Sequence, residues 1–123
     1  MTHPERANEY LGHILQAIDR ATRYLSTLPD AVSLRQNDQV QDAVVRYIEV
    51  IGEATVKLQR EAPTFLTTHP HIPWADMRRM RNRMIHQYFD IDWDVVWRTV
   101  KNGLPSLKRQ IEALIQQHDR RLP

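Results

Sequence analysis

The sequence predicts an all-α fold, an antiparallel bundle of about five helices in one domain that spans residues 1–123. Apolar residues recur every three or four positions over long segments, which is the period of an amphipathic helix. No segment shows the strict alternation of a half-buried strand. Prolines and helix-capping residues stand between the periodic segments, where helices begin and end.

The first predicted helix begins close to Met1. Thr2 is a candidate cap, Pro4 suits a first helical turn, and Glu5 stands three residues after Thr2, as in a capping box. Pro29 follows the end of this helix. Its predicted buried face consists of Leu11, Ile14, Leu15, Ile18, Ala21 and Leu25.

The second predicted helix is also long. Asn37 or Asp38 begins it, and Pro63 ends it because proline restricts the residue that precedes it. Gly52 lies in its middle, where glycine costs roughly 1 kcal/mol relative to alanine, so we expect another backbone to approach closely there. The predicted buried face consists of Val40, Ala43, Val44, Tyr47, Ile48, Ile51, Thr55 and Leu58.

Residues 63–73 contain several prolines and threonines and are predicted to form a loop. Pro73 then begins a third helix that runs to about Tyr88. This helix holds most of the residues with chemical potential.

Asp92 is a candidate cap for a shorter fourth helix, which Asn102 and Gly103 end, and Pro105 begins a fifth. Their predicted inward-facing residues are Val95, Val96, Val100, Leu107, Ile111, Leu114 and Ile115. We expect the two long helices to leave part of an apolar stripe uncovered in a single chain. A symmetric homodimer would cover it.

Composition excludes several classes of protein. The chain is 41% hydrophobic and 26% charged, as in ordinary soluble domains. No apolar run approaches the roughly 20 residues of a membrane helix, and the first residues lack a signal peptide. We therefore expect a cytoplasmic protein with no membrane partner. The chain has no cysteine, which excludes disulfides and thiolate metal sites.

Positive charge is concentrated in the third helix. The net charge of the chain is only +2, which does not by itself require a nucleic-acid partner. Arg78, Arg79, Arg81 and Arg83 nevertheless lie close together and are followed by His86. Such a cluster suits contacts to phosphate, although a solvated helix face is the alternative interpretation.

Helical geometry divides these residues between two sides of the third helix. Arg81 falls on the apolar side, roughly 140° from His86 at 100° per residue. The apolar side carries Met77, Met80, Met84 and Tyr88, and the opposite side carries Arg79, Asn82, Arg83 and His86. Arg81 should be partly desolvated and should need a carboxylate, carbonyl or phosphate partner. Either the helix ends or bends near His86, or the site combines two copies of the helix.

These residue types suit metal-free cleavage of RNA. The ribose 2′-hydroxyl would attack the adjacent phosphorus and leave a cyclic phosphate and a free 5′-hydroxyl. This step needs a base, an acid and positive charge on the phosphate. His86 can transfer protons, with two histidines of a dimer as candidate base and acid, and Arg81 can hold the phosphate bidentately. Asn82 could orient His86 or bind phosphate, and Arg79 and Arg83 could add phosphate contacts.

Arg81, His86 and Tyr88 resemble the Arg-x4-6-His signature of HEPN domains, in the form Arg-x4-His-x-Tyr. Residues 42–54, with the run Ile-Gly-Glu-Ala, and residues 72–89, which begin Ile-Pro-Trp, resemble the HepT toxin family. Shorter matches after residue 90 extend the likeness to most of the chain.

The resemblance implies an all-α HEPN ribonuclease that acts as a homodimer, needs no cofactor and forms the toxin of a toxin–antitoxin pair. The antitoxin is then an MNT-type nucleotidyltransferase that transfers AMP from ATP to the motif tyrosine, here Tyr88. An AMP group would add bulk and negative charge beside Arg81 and His86 and would compete with the RNA phosphate. The resemblance also suggests close helix packing near the site as a reason for Gly52, and Glu53 as a nearby carboxylate.

Other functions remain compatible with the sequence. The domain could be a non-catalytic binding module that partners a nucleotidyltransferase, or a structural dimerisation bundle. The complete set of arginine, histidine and tyrosine favours the enzyme, and neutralisation by simple binding is the alternative to modification. His69, His71 and His86 could suggest a metal site, but no pattern of ligand spacing accompanies them.

Overall fold

A computed structural model describes the backbone of residues 2–121 and the side chains of residues 2–118. The described residues form helices and connecting turns, without strands, which confirms the all-α prediction. The α-helices are α1 (Ala7–Leu25), α2 (Ala31–Arg35), α3 (Asp38–Glu61), α4 (Pro63–Thr68), α5 (Trp74–His86), α6 (Trp93–Arg98) and α7 (Leu104–Arg121). Short 3-10 turns cover Pro4–Arg6 and Tyr88–Asp90, and a π-helical segment covers Thr99–Gly103.

Helix α3 is the centre of the bundle. It packs against α1 on one side and against α5 on another, while α1 also contacts α7. The core includes Leu11, Ile14, Ile18, Leu25, Val44, Leu58, Val96, Val100 and Ile111, all almost fully buried. The predicted apolar faces are thus largely confirmed. Five of their residues are only partly buried: Leu15, Ala43, Tyr47, Val95 and Ile115.

Of the five predicted helix starts, those at Asn37, Pro73 and Asp92 are confirmed. The fifth helix begins at Leu104, one residue before the predicted Pro105, and the predicted cap of the first helix is wrong. The Asn37 side-chain oxygen accepts a hydrogen bond of 2.9 Å from the Val40 amide at the start of α3. Asp92 accepts hydrogen bonds from the Asp94 and Val95 amides at the start of α6. Thr2 does not cap the first helix. His3 stands at the start of the 3-10 turn instead, without a side-chain cap.

The segment predicted as a loop at residues 63–73 contains the short helix α4. Pro63 stands in the first turn of α4, where its missing N–H leaves no hydrogen bond unmade. Phe65 and Leu66 pack partly buried against the core, which stabilises this turn of helix. Pro63 therefore both follows the end of α3 and begins α4.

The predicted stop at Asn102 and Gly103 is also wrong. The π-helical segment carries the chain from α6 directly into α7, and Gly103 does not adopt a positive φ. The π segment begins at Thr99, whose hydroxyl donates a 2.7 Å hydrogen bond to the Val95 carbonyl. Glycine here has no need of the left-handed conformation that usually ends a helix.

Exposed apolar surface lies mainly beyond the two long helices. We predicted it on α1 and α3, but these helices largely cover each other. Among the described residues, three of the five large exposed apolar side chains lie at or just after the end of α5: Ile85 is 43%, Tyr88 40% and Phe89 96% exposed. The other two are Tyr24 of α1, 39% exposed, and Val32 of α2, 53% exposed. No helix in the described part of the chain is long and apolar enough to cross a membrane.

Candidate functional site

The candidate site is built where α5 crosses α3. A Cβ atom placed on Gly52 would lie 2.8 Å from Arg81 Cγ and 3.0 Å from the Met77 carbonyl oxygen, and still closer to Arg81 Cβ. Any side chain at this position would push the helices apart. The close approach that we expected at Gly52 is therefore present, and it presses the base of the Arg81 side chain against α3.

Arg81 is half-buried, as its place on the apolar side predicted. Its Nη1 donates a 3.1 Å hydrogen bond to the Asn82 side-chain oxygen. Its Nε is buried and has no hydrogen-bond partner among the residues that the structure describes. A buried N–H of a cation without an acceptor is costly, and Arg81 thus keeps an N–H group that has no oxygen to donate to among the described residues.

Glu49 of α3 interacts electrostatically with Arg81. Burial and the negative charge of Glu53 raise the pKa of Glu49, while the charges of Arg46 and Arg81 act in the opposite direction. Glu53, which we singled out from the resemblance, is only partly buried. Burial and the neighbouring carboxylate thus disfavour the charged form of Glu49 by more than the two arginines favour it.

His86 is the last residue of α5, and its side chain is exposed. The Gln87 amide donates a 2.9 Å hydrogen bond to the Arg83 carbonyl, which closes the helix at this point. The helix therefore ends at His86, one of the two possibilities that the Arg81-to-His86 angle required. Asn82 is exposed, and its recorded side-chain bond is to Arg81.

Tyr88 lies just beyond the end of α5, in the 3-10 turn, and its hydroxyl donates a hydrogen bond to Asp42 near the start of α3. This hydrogen bond raises the pKa of the Tyr88 phenol, and the negative charges of Asp42, Asp38 and Glu49 add to the effect. Tyr88 is thus fixed to α3, as Arg81 is, although it is not part of the helix that we predicted to reach it.

The remaining arginines of α5 differ in their surroundings. Arg78 is partly buried, and its Nη1 has no hydrogen-bond partner among the described residues. Arg79 is exposed and forms an ion pair with Asp76. Arg83 is also exposed, and both Arg79 and Arg83 line a groove of about 700 Å³ between α5 and the α6–α7 region. That groove is otherwise largely apolar, with Ile48, Ile51, Met77, Met80, Val95 and Leu107 in its wall. Neither Arg81 nor His86 lines it.

Comparison with known proteins decides the family. The family described as ribonuclease HepT-like matches residues 14–114, which is most of the chain. The chain belongs to the HepT-like family. This HepT-like chain is 46% identical over 106 residues to a Thermococcus cleftensis protein named "Probable ribonuclease HepT", covering 86% of this chain and 93% of that protein. The resemblance inferred from residues 42–54 and 72–89 is confirmed.

More distant relatives have the same kind of name. A Methanocaldococcus jannaschii protein provisionally named an RNase is 34% identical over 107 residues, covering 87% of this HepT-like chain and 89% of the relative. A Caldanaerobacter subterraneus protein, also provisionally named an RNase, is 33% identical over 112 residues, covering 87% and 92%. No solved structure is significantly similar to the chain.

Asp42 and Glu49 were given no role from the sequence. Asp42, Glu49 and Glu53 are spaced by seven and four positions, which places them on one face of α3. The sequence alone therefore showed that these three carboxylates share a face of α3. The sequence did not show which residues this face contacts, because Tyr88, which contacts Asp42, lies 46 positions away.

The three histidines considered for a metal site do not come together. The rings of His69 and His71 lie 6.1 Å apart between α4 and α5, and His86 stands at the other end of α5. Among the described residues, no group of three or more histidines and carboxylates could hold a metal ion.

Proposed function

We propose that this HepT-like chain is a metal-independent endoribonuclease and the toxin of a toxin–antitoxin pair. Its site would form across a homodimer, and a cognate MNT-type nucleotidyltransferase would neutralise it by transferring AMP to Tyr88. Family membership supports the coarser part, a ribonuclease of the HEPN type. The observation that carries the proposal is Arg81, whose buried Nε is unpaired among the described residues, followed by the exposed His86 at the helix end.

The proposed reaction needs charge stabilisation and proton transfer. The ribose 2′-oxygen attacks the adjacent phosphorus, the bond from phosphorus to the 5′-oxygen breaks, and a cyclic phosphate and a 5′-hydroxyl result. The guanidinium of Arg81 suits the developing charge on the phosphate oxygens. Histidine is suited to take the proton of the 2′-hydroxyl or to protonate the leaving oxygen, because it changes charge near neutral pH.

A homodimer is supported by the exposed side chains at the end of α5. Arg81 is pressed against α3, whereas His86 is exposed where α5 ends. A second copy could bring its own His86 to the first Arg81. Phe89, 96% exposed beside His86, is the kind of side chain that an interface buries, a contribution of roughly 1.5–3 kcal/mol.

Cleavage can be tested with the purified chain in EDTA and an RNA substrate. We expect products with 2′,3′-cyclic phosphate and 5′-hydroxyl ends, and a loss of about 10²-fold or more in His86→Ala and in Arg81→Ala. His13→Ala and Arg109→Ala, at exposed residues of α1 and α7, are the matched controls and should retain activity. Unreduced cleavage in both site variants would refute the assignment. No cleavage by wild type, with tight binding to a nucleotidyltransferase, would favour the binding module.

The composite site has a sharper test. Arg81→Ala and His86→Ala chains are each inactive, but a mixed dimer has one site with both groups intact if Arg81 and His86 come from different protomers. Random reassociation should therefore restore about a quarter of wild-type activity. A site contained within one protomer would gain nothing from mixing.

Neutralisation by AMP transfer is supported by the position of Tyr88. Its ring is 40% exposed, and it follows His86 by two residues. An adenylyl group there would place a phosphate where the RNA phosphate has to bind. After co-expression with the cognate nucleotidyltransferase, intact mass should rise by one or more AMP units in wild type and not in Tyr88→Phe. Full neutralisation at unchanged mass would indicate inhibition by binding.

A further inference from the structure

The hydrogen bond between Tyr88 and Asp42 is the contact that the proposed cleavage reaction does not use. It joins the 3-10 turn after α5 to the first turns of α3, across 46 positions of sequence. Both side chains are exposed, so neither the fold core nor a buried network requires it. Tyr88 is the residue that we propose to be modified, and a carboxylate that is hydrogen-bonded to its hydroxyl is placed to take the proton of that hydroxyl.

We propose that Asp42 is the general base for adenylyl transfer to Tyr88, an inference that rests on the proposed modification of this tyrosine. The Tyr88 Oη attacks the α-phosphorus of ATP and forms a new O–P bond. The bond from the α-phosphorus to the oxygen of the β-phosphate breaks, and pyrophosphate leaves with the electron pair. The phenolic proton passes to the Asp42 carboxylate and then to solvent. The toxin chain thus supplies the base, and the partner enzyme supplies ATP and its metal ions.

The surroundings of Tyr88 explain why a base is needed. Asp42, Asp38 and Glu49, all on α3, place negative charge around the phenol and oppose its ionisation. Free phenolate is therefore scarce at neutral pH, and transfer cannot depend on a tyrosine that has already lost its proton. Of these carboxylates, Asp42 is the one that the hydroxyl contacts. A kinase aspartate that accepts the proton of a substrate hydroxyl is a chemical parallel.

The test compares rates of AMP incorporation in full-length chains. Wild type, Asp42→Asn, Asp42→Glu and Asp38→Asn are incubated with the cognate nucleotidyltransferase and ATP labelled at the α-phosphate. Asp42→Asn keeps an oxygen acceptor but cannot take the proton, so we expect a loss of about 10²-fold or more in the rate at saturating ATP. Asp42→Glu should restore part of the rate. Asp38→Asn removes a charge one turn away and should differ little from wild type.

The pH profile separates a base from a merely structural contact. With a carboxylate base, the rate should vary little between about pH 6 and pH 9, whereas in Asp42→Asn it should rise about tenfold per pH unit towards the phenol pKa. A slow Asp42→Asn with a flat profile would make the contact structural and overturn the proposal. Equal rates in wild type and Asp42→Asn, or an equal loss in Asp38→Asn, would overturn it as well.

The outcome for the proposed function is read separately. If wild type gains no AMP, both the modification and its base are wrong, whereas RNA cleavage is measured without the partner. If wild type and Asp42→Asn are modified on Tyr88 at the same rate, the role of Asp42 as the base is refuted, whereas the proposed modification of Tyr88 stands.

Discussion

Helix α3 meets α1 and α5 with two different kinds of surface. The core that α1 and α3 build consists of fully buried apolar side chains such as Ile14, Val44 and Leu58. Its polar contact lies at the margin, where Arg20 donates a 3.1 Å hydrogen bond to the Tyr47 hydroxyl. The contact with α5 instead brings Arg81 against Gly52 of α3, where it interacts electrostatically with Glu49.

The difference teaches where stability and function are separated in this small domain. Each apolar group that is buried between α1 and α3 stabilises the fold, and such groups have no part in acid–base chemistry or phosphate binding. The α5 side keeps two arginines, Arg78 and Arg81, each with a buried N–H group that has no partner among the described residues. It also keeps a glutamic acid, Glu49, whose pKa is raised. Perturbed groups of this kind are typical of functional sites. We therefore expect mutations on the two sides of α3 to differ in what they change.

The largest effect on stability is expected in the core. Leu58 is 0% exposed, and Leu58→Ala should lower the free energy of unfolding by about 2–5 kcal/mol, because a cavity adds to the lost burial. Its exposed neighbour in α3, Lys57→Ala, is the control and should stay within about 0.5 kcal/mol of wild type. Urea denaturation of the purified chains measures both. Similar midpoints would mean that the α1–α3 contact is not the stabilising core.

The contact between α3 and α5 should be sensitive in a different way. In Gly52→Ala, overpacking of about 1–3 kcal/mol is partly offset by the roughly 1 kcal/mol that alanine gains in a helix. The net change in the free energy of unfolding should therefore be small, whereas ribonuclease activity should fall by about 10²-fold, because the added Cβ displaces Arg81 by on the order of 1 Å.

Gly12→Ala is the matched control, since an added Cβ at this exposed position of α1 has nothing within 4 Å. It should raise stability by up to about 1 kcal/mol and leave cleavage intact. If the two glycine variants behave alike in both assays, the crossing does not position Arg81.

The core side could be predicted from sequence far better than the site. Periodicity located the long helices, and Asn37 and Asp92 marked two starts through local capping chemistry. Pro63 was correctly predicted to end α3, but residues 63–73 were predicted as a loop, and the start of α4 at the same proline was missed. The division of Arg81 from His86 followed from helical angles. The contact between Tyr88 and Asp42 did not, because it depends on how two distant segments meet.

The smallest expected effect concerns how the stability contributed by two carboxylates, Asp30 and Glu49, changes with pH. Asp30 caps α2, and hydrogen bonds from the Ser33 amide and hydroxyl lower its pKa below the ordinary value of 3.8. Its contribution to stability is therefore present above that value and is lost as the pH falls through the lowered pKa. Glu49 has a pKa above the ordinary 4.5, because burial and Glu53 oppose its charge. Its contribution has the opposite sign, full below 4.5 and lost as the pH rises through the raised pKa.

Thermal unfolding across about pH 2 to pH 8 should resolve the two signs in Asp30→Asn and Glu49→Gln. Asp30→Asn keeps a capping oxygen but cannot titrate, so it should lose less stability than wild type as the pH falls below about 4. Glu49→Gln should be slightly more stable than wild type near neutral pH, by no more than about 0.5 kcal/mol, and should lose this advantage in acid. A Glu49→Gln chain that is less stable than wild type at neutral pH would contradict this, because the carboxylate would then be held in favourable pairing with Arg81. The contrast between the two sides of α3 would in that case be one of geometry alone.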